Sequence, residues 1–281
     1  MFRVLETAAL ARASAEKFEK ARAIVRAQKG AVVAFSGGVD SALVLKIAHE
    51  ELGDRAVALT AVSASLSPRE KEAAQKLARR IGVEHLLVET AELQREGYVR
   101  NGPDRCYHCK SELYSVCRRV ASERGLEAIL DGFNADDVGD HRPGRRAGQE
   151  NDVVSPLLLA GLGKDEIRAW SKELGLPTWE KPQLACLASR IPYGTPVTPE
   201  RLGQVARAEE ALQDLGFSIF RVRHHGDAAR LEIGEEELPR LLESAELRAR
   251  VSEAVKAAGF RFVALDLEPF RSGRMNVSLP A

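Results

Sequence analysis

The chain has 281 residues, 44% of them hydrophobic, with 41 Lys and Arg against 41 Asp and Glu and therefore no formal net charge. That length admits a full α/β core plus a smaller companion, while the balanced charge removes any global attraction to nucleic acid or an anionic bilayer and favours a small-molecule substrate. No run approaches the roughly 20 apolar residues that span a membrane, and the charged, helix-patterned stretch from Met1 to Lys20 does not read as a secretory leader, so a cytoplasmic protein is expected.

The pattern predicts an amphipathic helix to about Arg26, and then apolar runs that alternate with helical ones. They give strand 31–36, helix 41–52, strand 56–63, helix 69–81, strand 84–88, helix 107–124 and strand 127–131. This alternation predicts an α/β fold with a doubly wound, mostly parallel sheet and ligands bound outside the carboxyl ends of the strands. Two irregular stretches interrupt it, 132–152 and 176–199; in the second, Pro177, Pro182, Pro192, Pro196 and Pro199 forbid a long helix. Loops of that length are usually lids or linkers. The second is read as the boundary between a domain over 1–194 and a small α+β domain over 195–281, with helix 199–215, strands 218–224 and 228–233, helix 235–258 and strand 260–267.

The first strand runs through Ser36-Gly37-Gly38-Val39-Asp40-Ser41 into a helix. Such a junction is an anion cradle, because unpaired backbone N–H groups and the positive end of the helix dipole converge on one point. The glycines let the backbone approach a bulky anion, Ser36 and Ser41 add hydroxyl donors, and Asp40 is the expected ligand of the Mg²⁺ that accompanies a nucleotide. The string resembles the SGGxDS pyrophosphate loop of the ATP pyrophosphatases (the PP-loop superfamily), which implies ATP cleaved to AMP and pyrophosphate.

Of the four cysteines, Cys106 and Cys109 form a C-x-x-C that leads into a helix, Cys117 lies eight positions further along that helix, and Cys186 lies in the Pro-rich segment. A C-x-x-C alone is ambiguous between a redox dithiol, half a zinc site and part of an iron–sulfur site. Cys117, about 12 Å along the helix from Cys109, is too far to share a small metal centre and reads as core. With Cys186 the count becomes three, which leaves one metal position open and favours a [4Fe-4S] site over a closed structural zinc.

The pyrophosphate loop combines with Arg105-Cys106-Tyr107-His108-Cys109-Lys110, Asp131-Gly132-Phe133-Asn134-Ala135-Asp136-Asp137, Gly139-Asp140-His141-Arg142-Pro143-Gly144, Ser155-Pro156-Leu157 and Ala185-Cys186-Leu187-Ala188-Ser189-Arg190-Ile191-Pro192-Tyr193-Gly194. Together, in unbroken order over nearly the whole chain, these strings resemble the LarE family, the ATP-dependent sulfur transferases (pyridinium-3,5-bisthiocarboxylic acid mononucleotide synthases) of nickel-pincer nucleotide biosynthesis, which serve lactate racemase. The resemblance implies that ATP adenylates a carboxylate of pyridinium-3,5-biscarboxylic acid mononucleotide and that sulfur then displaces AMP. Members that have only the cysteine matching Cys186 surrender its sulfur and are left with dehydroalanine. Members that add the cysteines matching Cys106 and Cys109 hold a [4Fe-4S] cluster whose open iron carries an extra sulfide. All three residues are present, so the resemblance implies the cluster-dependent type, a sulfide donor as partner and, as is common in the family, a homo-oligomer. Sacrificial Cys186 is the alternative, and a PP-loop tRNA thiolase a further one, disfavoured because neither zinc-ribbon cysteines nor a basic RNA-binding domain is present.

The remaining candidates surround this centre. Gly132 and Asn134 are expected to line ATP, and Val62 sits in a strand end that resembles the adenine-facing edge of PP-loop enzymes. Asp136 and Asp137 are read as a second Mg²⁺ ligand or substrate contact, against the alternative of ordinary turn carboxylates. Arg142, near Arg145 and Arg146, and Arg190 are candidate clamps for phosphate or carboxylate. Arg221 and Arg223 share a strand face. With Glu232 on the facing strand they are either a surface ion-pair ladder or a substrate-phosphate site, the latter favoured by the resemblance.

Overall fold

The structure, a computed structural model, describes residues 2–138, 143–182 and 185–271. In chain order it runs α1 (Phe2–Ala13), α2 (Ala15–Arg26), β1 (Ala31–Ala34), α3 (Val39–Leu52), β2 (Ala56–Val62), α4 (Pro68–Ile81) and β3 (Glu84–Glu89). Next come α5 (Glu96–Val99), α6 (Arg105–Glu123), β4 (Ala128–Leu130), α7 (Pro143–Glu150), α8 (Pro156–Ala160) and α9 (Lys164–Glu173). The last are α10 (Pro199–Asp214), β5 (Phe220–His225), β6 (Ala228–Ile233), α11 (Leu238–Glu243), α12 (Ala245–Ala257) and β7 (Phe262–Leu265). The chain divides into two compact units, one of Met1–Ser63, Pro68–Glu92 and Cys106–Leu184, the other of Ala64–Ser67, Leu93–Arg105 and Ala185–Ala281.

The first unit is α/β, with a sheet ordered β3-β2-β1-β4, every pairing parallel. β1 reads Ala-Val-Val-Ala without alternation because, in the middle of a parallel sheet, both of its faces are covered. The helix that follows, α3, buries Leu43, Leu45 and Ile47 completely. By contrast α4 buries Ala74, Leu77, Ala78 and Ile81, spaced i, i+3, i+4 and i+7, and turns its charges outward. Thus β1 ends, and α3 begins, at the carboxyl edge of the sheet beside the end of β4. There the candidate site is built.

The second unit carries a three-stranded sheet ordered β5-β6-β7. β5 and β6 form an antiparallel hairpin, and β7 joins β6 in parallel.

The structure differs from the sequence reading in several elements. The N-terminal helix is two helices, parted at Ser14, whose hydroxyl donates back to Leu10 O at 2.8 Å and accepts from Trp170 Nε1 at 3.0 Å. The helix expected over 235–258 is likewise two; Ser244 caps α12 by accepting from Leu247 N at 3.1 Å, a local bond that competes with helix continuation. The stretch 132–152 is not wholly irregular, since it holds a 3₁₀ turn at Ala135–Val138 and α7. Two helices went unread after it, α8 and α9, the first closed by Gly161 in the left-handed region at φ +75°.

Candidate functional site

The Ser36–Ser41 loop is the strand-to-helix cradle its sequence implies. Gly37 has φ +71°, and a Cβ there would lie 3.1 Å from Ala74 Cβ, so conformation and space both require glycine. Gly38 stands in extended conformation at the N-cap of α3. The Ser36 and Ser41 hydroxyls lie 3.1 Å apart, and Ser41 Oγ accepts from Ser36 N at 3.2 Å. With its hydroxyls turned inward, the loop leaves backbone N–H groups at the start of α3 for an anion.

Gly132, just past β4, packs directly on this turn: a Cβ would fall 2.8 Å from Ser41 N and 3.0 Å from Asp40 Cβ. The preceding residue fixes that approach. Asp131, 2% exposed, accepts from Tyr114 Oη at 2.7 Å, Ser155 Oγ at 2.6 Å and Phe133 N at 3.2 Å. Burial, the neighbouring Asp131 charge and the hydrogen bond to it raise the Tyr114 phenol above its ordinary value, so it stays a donor. Asn134 is buried and directs Nδ2 to Asp40 Oδ1 at 3.3 Å, while its Oδ1 accepts from Asp136 N. Val62 is half-buried at the end of β2.

Asp136 and Asp137 are engaged by backbone. Asp136 Oδ2 accepts from Lys164 N at 2.7 Å at the start of α9, and Asp137 Oδ2 from Asn134 N at 3.1 Å. Arg142 lies outside the described residues.

Two lysines that the sequence reading did not single out stand at the cradle. Lys164 Nζ lies 2.5 and 2.6 Å from the two oxygens of Asp40, and Lys181 Nζ donates to Gly37 O at 3.2 Å and Glu70 Oε2 at 2.7 Å. A signal for Lys164 does exist in the sequence. A cation in the first turn of a helix opposes the dipole, so a Gly-Lys-Asp-Glu start implies a local anion for the lysine.

Cys106 and Cys109 lie near the start of α6, three residues apart and so on one helix face, the former exposed and the latter half-buried. Cys117 is fully buried, and burial pushes its thiol up to about 12, which leaves it protonated as the core reading requires. Cys186 is exposed, in the second unit, just before a 3₁₀ turn over Leu187–Arg190.

Arg190 holds that turn. It is 2% exposed and donates through Nη1 to Ala185 O at 2.7 Å, Cys186 O at 3.2 Å and Ser189 Oγ at 2.9 Å, with Nε and Nη2 spanning both oxygens of Glu209 at 2.8 and 2.9 Å. The carboxylate it clamps is therefore the chain's own. Arg223 reaches the same turn through Ser189 O at 2.9 Å and pairs with Glu232 at 2.7 Å. Arg221 lies 4.5 Å over the Phe270 ring; burial first, then the charges of Arg190 and Arg223, lower its guanidinium to about 10. Arg221, Arg223 and Glu232 are 7%, 5% and 0% exposed, which excludes the surface-ladder alternative. Arg223 Nε is buried with no hydrogen-bond partner among the described residues.

Asp40 supplies hard oxygen donors that suit Mg²⁺, and three thiols suit an iron–sulfur cluster. Among the described residues, however, no three His, Cys, Asp or Glu side chains are gathered as a metal site, and the cysteine pair and Cys186 belong to different units. No helix among the described residues is long and apolar enough to cross a membrane.

The family described as Queuosine biosynthesis protein QueC, of the PP-loop superfamily, matches residues 30–99, from β1 through the cradle and β3. The chain is 40% identical to the pyridinium-3,5-bisthiocarboxylic acid mononucleotide synthase of Lactiplantibacillus plantarum, over 88% of this chain and 89% of that protein. It is 43% identical to an uncharacterized protein of Synechocystis over 92% and 97% of the two chains. An uncharacterized protein of Methanocaldococcus jannaschii is 27% identical over 87% of this chain and 92% of its own.

Proposed function

Since this chain belongs to the pyridinium-3,5-bisthiocarboxylic acid mononucleotide synthase (LarE) family, we propose that it is an ATP-dependent sulfur transferase acting on pyridinium-3,5-biscarboxylic acid mononucleotide. The observation that carries the ATP half is the cradle: β1 passing through Gly37 and Gly38 into α3, with Asp40 and two lysines at its mouth.

A carboxylate is a poor electrophile, so its oxygen first attacks the α-phosphorus of ATP, the α–β bridge breaks and pyrophosphate departs. Backbone N–H groups of the cradle receive the departing phosphates, the Ser36 and Ser41 hydroxyls hold the loop in shape around them, and Gly132 and Asn134 line the nucleotide. Mg²⁺ at Asp40, when bound, would neutralise charge on the pyrophosphate. Sulfide then adds to the activated carbonyl and AMP leaves with the C–O electron pair, giving a thiocarboxylate. A [4Fe-4S] cluster held by Cys106, Cys109 and Cys186, when present, would supply that sulfide without consuming protein. Arg190 holds the Cys186 turn in place, and Arg221 with Arg223 offers a buried cationic pair to the substrate phosphate. An external sulfide donor, a homo-oligomeric assembly, a cytoplasmic location and a place in nickel-pincer nucleotide synthesis complete the reading.

The test is anaerobic incubation with ATP, Mg²⁺, sulfide and the dicarboxylated nucleotide. Substrate-dependent AMP and pyrophosphate with a thiocarboxylated product are expected. ADP and orthophosphate, or no sulfur incorporation, would refute the proposal.

A further inference from the structure

The carboxylate that the cradle offers to a metal already has a cation on it. Lys164 Nζ approaches Asp40 Oδ1 at 2.5 Å and Oδ2 at 2.6 Å, and Asn134 Nδ2 adds a third contact to Oδ1 at 3.3 Å. A divalent ion cannot take those oxygens while an ammonium spans them, because the two cations would stand within a few ångströms of each other.

The placement of Lys164 suits a movable charge. Its backbone is anchored twice over: its own N–H donates to Asp136 Oδ2 at 2.7 Å, and the preceding Gly163 N–H to Glu166 Oε2 at 2.9 Å. From that fixed base extends a flexible four-carbon stem whose side chain is 29% exposed, against 25% for Asp40. Nothing in helix energetics favours a cation at this position, since the start of α9 is the positive end of its dipole. On the other side of the loop Lys181 is held by Glu70 and Gly37 O, so Asp40 is not its partner.

We propose that Lys164 is a placeholder cation. It neutralises Asp40 while the cradle lacks nucleotide, yields the carboxylate to the divalent metal of an arriving metal–nucleoside triphosphate, and transfers its charge-assisted hydrogen bonds to the phosphates. The inference rests on the ATP reading above and adds the exchange to it. The exchange keeps the cradle from presenting a bare carboxylate to a polyanion, and it leaves an ammonium beside the leaving pyrophosphate.

The proposal makes metal and lysine competitors for one carboxylate, which binding measurements read without turnover. Nucleotide-free protein is titrated with Mn²⁺ and followed by the electron paramagnetic resonance of the free ion. Lys164→Met, and Lys164→Gln as a second variant, should bind Mn²⁺ about tenfold more tightly than wild type, with the gain lost in Lys164→Met/Asp40→Asn. In calorimetry with Mg²⁺ and pyrophosphate the same single variants should bind the anion about tenfold or more weakly, and Lys164→Arg should recover part of the loss. Unchanged Mn²⁺ affinity, or unchanged pyrophosphate affinity, in variants with wild-type thermal melts overturns the exchange and leaves a merely structural ion pair. Wild-type protein that binds neither Mg·ATP nor pyrophosphate would instead bring down the ATP reading itself. Wild type that binds both, with Lys164 variants indistinguishable from it, would bring down this proposal alone.

Discussion

Gly132 has no room for a side chain, and what crowds it is backbone that cannot retreat: Ser41 N at 2.8 Å and Asp40 C at 3.1 Å from where a Cβ would stand. Gly132→Ala is therefore expected to displace the first turn of α3, to destabilise the fold by about 1–3 kcal/mol and to weaken ATP binding. Thermal melts and calorimetry check it, and undiminished ATP affinity would mean that the cradle tolerates the shift. Arg190 poses the converse case, a buried cation whose removal strands a partner. Arg190→Ala leaves Glu209, 12% exposed, without its clamp and releases the Cys186 carbonyl; breaking such a pair from one side costs roughly 3–5 kcal/mol. Denaturant unfolding of Arg190→Ala beside Arg190→Ala/Glu209→Gln should show the double variant as the less destabilised of the two. Glu209 is not visible as a site residue in the sequence, and for Lys164 the helix start signals that an anion is near without saying which one. A carboxylate's or ammonium's partner lies far along the chain, 124 residues away for Asp40 and Lys164, and periodicity carries no information over that separation.

At the scale of elements, a chain of side-chain hydrogen bonds stitches β2 to the residue after β1 and to β3. Thr60 Oγ1 donates to Phe35 O at 2.6 Å, which uses its one hydrogen, so His85 Nε2, 2.7 Å away, is the donor to Thr60. Burial first, and the charge of Arg79 next, hold the His85 pKa below its ordinary value. The folded imidazole thus binds a proton less readily than the unfolded one. Its contribution is fully present above the unfolded pKa of about 6.5 and is lost as pH falls below that value. His85→Gln, which keeps a donor for Thr60 but cannot titrate, should flatten part of the decline in unfolding free energy between pH 7.5 and 5.5. An identical pH slope in the two proteins would show that His85 does not contribute. The strands themselves were readable because their apolar runs are local. The breaks at Ser14 and Ser244 were not, since a serine inside a helical pattern is neutral until a distant partner such as Trp170, or its own capping bond, takes its hydroxyl.

For the whole molecule, two sulfur sources predict opposite outcomes. With the cluster-dependent route, anaerobically reconstituted protein should contain iron and sulfide, lose both in Cys106→Ser, Cys109→Ser or Cys186→Ser, retain them in Cys117→Ser, and turn over repeatedly at constant mass. A protein lighter by one H₂S at Cys186 after a single turnover, read by intact and peptide mass spectrometry, would establish the sacrificial route in its place. The sequence by itself determined the parallel α/β core, the strand–Gly–Gly–helix cradle and the family, because each rests on hydrophobic runs and short strings whose meaning is complete within a few residues. Only the tertiary structure decided that Asp40 is met by Lys164, that Asp136 and Asp137 hold backbone, that Arg190 clamps Glu209, and that Ala64–Ser67 and Leu93–Arg105 join the second unit. Those outcomes depend on which side chains packing brings within about 3 Å of one another, and hydrogen-bonding range is a property of the folded chain.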